Sequence, residues 1–184
     1  TAHDAAQIHD RLDAGVVPTC IVMNPPFSAS LGVETRVADA AFRHIASALA
    51  RLADGGRLVA ITGSSCSPDH AAWRDSFIRL QEKARVVFTA PIAGSIYASH
   101  GTTIETRLTV IDKVPADDPG VFPLSHEMAT DLPSLLRMLV DALPARAPVG
   151  VLPVIPSPRK IASASRRAAA PKPCLVAVPP VEPA

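Results

Sequence analysis

The sequence predicts an α/β fold: a partly parallel sheet making about half of a doubly wound domain, followed by a proline- and alanine-rich tail. Three observations predict it. Apolar runs of strand length alternate with helix-period stretches in the order β-α-β-α-β-β. The first strong apolar run stops abruptly at Asn24-Pro25-Pro26-Phe27. The last two strands are joined by a connection too short for a crossover helix, so they form an antiparallel, hairpin-like pair.

A short helix is expected over Ala5–Leu12, where Ile8 and Leu12 are an i, i+4 apolar pair and Gly15 is a stop. Thr19–Met23 reads as a buried strand. A flexible stretch, Ser28-Ala29-Ser30-Leu31-Gly32, leads to a strong helix over about Thr35–Ala53. Phe42, Ile45, Leu49 and Leu52 make its apolar stripe, with Arg43, Ser47 and Arg51 away from it. Asp54-Gly55-Gly56 ends it. Arg57–Thr62 is a second buried strand closed by Gly63-Ser64-Ser65-Cys66-Ser67. Asp69–Lys83 is the next helix, with Trp73, Phe77 and Leu80 inward. Arg85–Ala90 and Thr106–Asp112 are the third and fourth strands, and Leu132–Leu143 is a short amphipathic helix. The two crossovers are expected to be right-handed and to set the first strands parallel.

From Pro144 prolines recur among Ala and Val, a composition that sustains neither helix nor central strand. The expected division is therefore 1–143 for the folded part and 144–184 for a linker or disordered tail. From Ala145 onward six basic residues stand against the single acid Glu182, leaving that tail at +5 and the remainder at −4 of the chain's net +1. This balance implies no strong general attraction to nucleic acid or membrane. No apolar run approaches the roughly 18 residues of a membrane span. Cys20, Cys66 and Cys174 are odd in number and widely spaced, which points to reduced thiols and a cytoplasmic setting. The six histidines show no metal-ligand spacing.

The candidate site is the strand end. Proline fixes φ and offers no N–H, so Pro25 and Pro26 hold a stiff loop at the end of a strand where open α/β sheets bind ligands. On the residues alone, the tetrapeptide fits either such a site or a strand closed by a structural proline turn. Ser64–Ser67 lies at the end of the next strand, where it lines a cleft or serves as a helix-entry loop. Cys66 lacks a neighbouring base in sequence, against a nucleophilic role. Tyr97, His100 and Arg107 are on or near the β-connection, as target contacts or as surface loop.

Asn24-Pro25-Pro26-Phe27 after a buried strand resembles motif IV of the N6-adenine amino-methyltransferases, S-adenosylmethionine-dependent enzymes of the Rossmann-like class I fold. The runs VMNPPFSAS, DGGRLVAITGSSC, HAAWRDSF, RVVFTAPI and TRLTVIDK resemble more specifically the methyltransferase region of bacterial strawberry notch-type methylase/helicase proteins, over about Ala5 to Lys113. The resemblance implies that Asn24 and Pro25 orient an exocyclic amine, that Pro26 stiffens the loop, and that Phe27, with Ser28 beside it, stacks on the extruded base. It also places Asn24 beside the cofactor, S-adenosyl-L-methionine. In that layout the four strands are the fourth to seventh of the sheet, with the antiparallel last strand inserted between the fifth and sixth. The family also needs a glycine-rich loop after a first strand, and only 23 residues precede Asn24. The expectation is thus the C-terminal part of a methyltransferase domain, inactive alone, with an exposed first strand. Its partners would be DNA, the missing half and a downstream helicase region. Methylation of guanine in RNA or of glutamine in protein, and a non-catalytic module, are the alternatives.

Overall fold

The computed structural model describes residues 7–25 and 40–149. The elements run α1 (Ile8–Arg11), β1 (Cys20–Met23), α2 (Ala40–Arg51), β2 (Arg57–Gly63), α3 (Ala71–Gln81), β3 (Arg85–Ile92), a 3-10 helix (Gly94–His100), β4 (Thr106–Asp112) and α4 (Leu132–Ala142). The strands form one sheet in the order β1-β2-β4-β3. β1 and β2 are parallel, while β4 is antiparallel to both β2 and β3. The hairpin-like pair is present, and its second strand is inserted between β2 and β3, as the resemblance implies.

This order explains the burial of each strand. β4 is covered on both faces and buried at every position, and its polar Thr106, Arg107, Thr109 and Asp112 are buried with it. β2 alternates between buried and half-buried residues. β1 pairs only with β2 among the described residues, and Val22 is 76% exposed. Among the described residues the first strand is therefore an edge with Cys20 and Val22 exposed, which departs from the buried strand that its apolar run alone suggests and agrees with the exposed strand that the resemblance implies. β3 is the other edge, which tolerates Pro91 within the strand.

Two apolar layers flank the sheet. Ile45 and Leu49 of α2, Leu52 just after it and Phe77 of α3 pack with Leu58, Ala60 and Ile111. Leu135 of α4 packs on the opposite face with Phe88, Ile92 and Val110. The stripe predicted for α2 is thus buried. Ser47 departs from its expected place away from the core: it is 5% exposed because α1 covers it, and its Oγ accepts the His9 backbone N–H at 3.2 Å. Trp73 is only half-buried, stacked on Phe42 at 5.5 Å.

Element ends follow local chemistry. α3 starts at Ala71, later than the sequence pattern suggests, because Ser67–Asp69 close a turn and His70 caps the helix, its Nδ1 accepting the Ala72 N–H at 3.3 Å. Asp131 and Ser134 form a capping box at α4. α1 ends at Arg11, before Gly15. Positive φ at Gly55 (75°) marks the turn between α2 and β2.

At the N-terminal end of the parallel strands, Arg57 grips Asp112 with two of its guanidinium nitrogens, Nε to Oδ1 at 2.6 Å and Nη2 to Oδ2 at 2.8 Å. The same guanidinium donates to the carbonyl of Pro144 at 2.9 Å, and Arg146 donates to that of Thr19 at 3.3 Å. The Asp112 hydrogen bond raises the Arg57 pKa against the opposing effect of burial. No helix among the described residues is long and apolar enough to cross a membrane.

Candidate active site

β1 ends at Met23, opposite Ala60 of β2. Continuing that register sets Asn24 level with Ile61, at the C-terminal end of both parallel strands. Asn24 is exposed and Pro25 is buried behind it. The Asn24 carboxamide makes no hydrogen bond among the described residues. It is therefore held on a stiff strand end with its acceptor oxygen and its donors free. Pro26, Phe27 and Ser28, the rest of the predicted site, lie outside the described residues.

The β2–α3 loop is at the same end of the sheet. The Cys66 N–H closes a turn on the Gly63 carbonyl at 3.0 Å, and the Ser67 Oγ accepts the Asp69 N–H at 3.2 Å. The helix-entry role of this loop is thus realised. Cys66 is 4% exposed, and burial pushes its thiol pKa up, opposed by the Thr62 hydroxyl and the Arg107 charge. A buried thiol held in its neutral form is a poor nucleophile, in line with the sequence reading.

Because β4 runs antiparallel, it begins at this end. Arg107 lies opposite Thr62 on one side and Pro91 on the other. It is 9% exposed, not part of a surface loop. Its Nε donates to the Ser64 carbonyl at 3.1 Å, and its Nη1 donates to Thr89 Oγ1 at 3.0 Å and to Ser125 Oγ at 2.8 Å. One guanidinium thereby fastens the β2–α3 loop, β3 and the segment before α4. Burial lowers its pKa, offset in part by Asp69 and Cys66. Sequence reasoning placed Arg107 by its nearness to a loop; its alternation with Thr109 was the signal that it shares a strand face. Tyr97 also turns inward, its Oη within 3.2 Å of Thr106 Oγ1, while His100 is exposed.

The Cys66 environment makes one expectation direct. Thiol labelling at neutral pH, mapped by peptide mass, should modify exposed Cys20 and spare Cys66 until the chain is denatured. Because the folded thiol ionises at higher pH than the unfolded one, stability should fall as pH rises past about 9. Cys66→Ala should flatten that fall.

Among the described residues, no glycine-rich turn follows a strand. Gly63, the last residue of β2, stands alone, and Gly55-Gly56 precede that strand. No metal-binding group of His, Cys, Asp or Glu occurs among them either. The described residues thus do not form a glycine-rich cofactor cradle.

No protein-family profile matches the sequence, and no curated protein matches it. Solved structures do. A protein from Vibrio vulnificus assigned as a modification subunit of a type I restriction enzyme aligns over 78% of this chain with 12% identity and a TM-score of 0.50. A protein from Listeria monocytogenes assigned as a class I S-adenosylmethionine-dependent methyltransferase aligns over 71%, with 12% identity and a TM-score of 0.46. The M protein of the type I restriction enzyme EcoKI aligns over 55%, with 17% identity and a TM-score of 0.43. The chain spans 35%, 43% and 22% of their respective lengths. At these identities the likeness is one of fold. The fold is α/β: a four-stranded sheet with its last strand antiparallel and Asn24 just beyond its first described strand, similar in fold to the Vibrio vulnificus protein.

Proposed function

We propose that this chain supplies the amine-orienting part of an S-adenosylmethionine-dependent methyltransferase acting on N6 of adenine in DNA. The observation that carries this reading is the free Asn24 carboxamide on a proline-stiffened strand end, in a sheet whose last strand is inserted antiparallel. The Vibrio vulnificus protein is assigned as a restriction-enzyme modification subunit, which supports DNA as the target.

The chemistry asks for these groups. An amine on an aromatic ring is a weak nucleophile because its lone pair is delocalised. The Asn24 oxygen and the Pro25 carbonyl would each accept one amine N–H, moving the nitrogen toward tetrahedral geometry and aiming its lone pair. Phe27 would stack on the base once it has left the duplex. The double proline fixes these acceptors before the substrate arrives, which lowers the entropy lost in alignment. The donor would supply an electrophilic methyl group on a sulfonium. The described residues do not cradle it, so the proposal includes a complementing polypeptide segment with a glycine-rich strand–loop–helix. The open edge of β1 is where an added strand would pair.

The strawberry notch-type resemblance, a cytoplasmic location, a linker over 144–184 and a helicase region beyond it belong to the same proposal. The lack of a cofactor cradle among the described residues favours one second reading, a non-catalytic module of methyltransferase shape. Incubation of the complemented chain with tritiated donor and DNA, RNA or glutamine-bearing peptide separates the cases. The proposal expects label in DNA, recovered as N6-methyl-2′-deoxyadenosine. Label in guanine or glutamine would move the substrate, and no label in any acceptor would leave the module.

A further inference from the structure

We propose that the outer groove between α2 and α3 docks an acidic amphipathic helix of a partner protein. The two helices lead into parallel strands and run the same way. They meet where Phe42 stacks on Trp73 and touches Phe77 edge-on at 4.8 Å. Beyond that contact they part, leaving a groove of about 750 Å³.

The lips of the groove have helical spacing. α2 contributes Arg43, Ala46 and Ala50, α3 contributes Ser76 and Arg79, and the turn after it contributes Lys83, each set at i, i+3 and i+7. Ala46 and Ala50 are exposed and offer only methyl groups, so a third helix can approach closely between apolar Leu49 and Leu80. An apolar strip between two helical ridges is the shape that receives a helix by its i, i+3, i+4, i+7 face.

Charge selects the occupant. Arg43, Arg79, Lys83 and Lys113 line the groove against one acid, Glu82, in a chain whose net charge is only +1. Lys113 is engaged by the Leu52 carbonyl and Asp54, while Lys83 has no ion pair among the described residues. A helix with acidic flanks would meet this field, and a basic one would be repelled. The apolar floor suits a side-chain face better than a phosphate backbone. The groove sits on the outer helical layer, toward the strands' N-terminal ends, away from Asn24. Its occupation is therefore independent of the methyl-transfer reading.

The probe is a fluorescein-labelled helical peptide of about 14 residues, four turns long, with Leu along one face and Glu elsewhere. Its counterpart carries Lys in place of Glu. Fluorescence anisotropy should show the Glu peptide binding at least about tenfold more tightly than the Lys peptide, with affinity falling as salt rises. Amide shifts should cluster at Ala46, Ala50 and Arg79. Ala46→Trp, which fills the groove from an exposed position, should weaken binding by about tenfold or more. The double change R79E/K83E should reverse the charge preference, with an unaltered circular dichroism spectrum. Equal binding of both peptides, absence of binding by the Glu peptide, shifts confined to other surfaces, or tighter binding of a short DNA duplex at the same residues would each overturn the proposal.

Discussion

Asn24→Ala is expected to lower methyl transfer by the complemented chain by at least about a hundredfold, the usual loss when one positioned polar group of a reaction centre is removed. Folding should be untouched. Asn24 is exposed and makes no hydrogen bond among the described residues, so its truncation opens no cavity and orphans no buried partner. The two halves of the expectation are separable. Initial rates with saturating donor report the chemistry, and a urea transition reports the fold. Loss of rate with an unmoved midpoint is the predicted pattern. Undiminished turnover would refute the role assigned to Asn24. An equal loss of stability would turn it into a structural residue of the proline turn.

The second large effect concerns the opposite end of the sheet. Asp112→Ala is expected to destabilise the chain by about 3 kcal/mol, the low end for breaking a buried pair from one side. Asp112 is buried on the central strand, and both its oxygens are taken by Arg57. Without the carboxylate, the Arg57 guanidinium keeps only the Pro144 carbonyl, and its charge stays in a largely desolvated place. In urea, a loss of that size moves the midpoint by roughly 1–3 M at ordinary m-values. The double variant Arg57→Met/Asp112→Leu should recover most of the stability, since the pair's value lies mainly in not leaving one charge alone. A loss under about 1 kcal/mol in the single variant would class the pair with exposed surface bridges.

Much of the fold was legible because it rests on periodicity. The stripe of Phe42, Ile45, Leu49 and Leu52 and the run Arg57–Thr62 bury what their patterns say they bury. The short connection between β3 and β4 correctly implied antiparallel pairing. The insertion of β4 between β2 and β3 came from the resemblance, because pattern alone does not name a strand's second neighbour. Ser47 and Arg107 were misjudged for one physical reason. Polarity suggests exposure, but each is buried with partners from distant segments: His9 for the first, and Ser64, Thr89 and Ser125 for the second. The 3-10 helix Gly94–His100 has too short a period signal to be read. At the candidate site the whole tetrapeptide could be read from the sequence, and the described structure places Asn24, exposed, and Pro25, buried, just beyond the end of β1.

The proposed acceptor site has no cofactor cradle among the described residues. Isothermal titration calorimetry with S-adenosylmethionine tests it most directly. The chain alone should give no binding in the micromolar range, and the complemented chain should bind the donor at such concentrations. Micromolar binding by the chain alone would contradict the account.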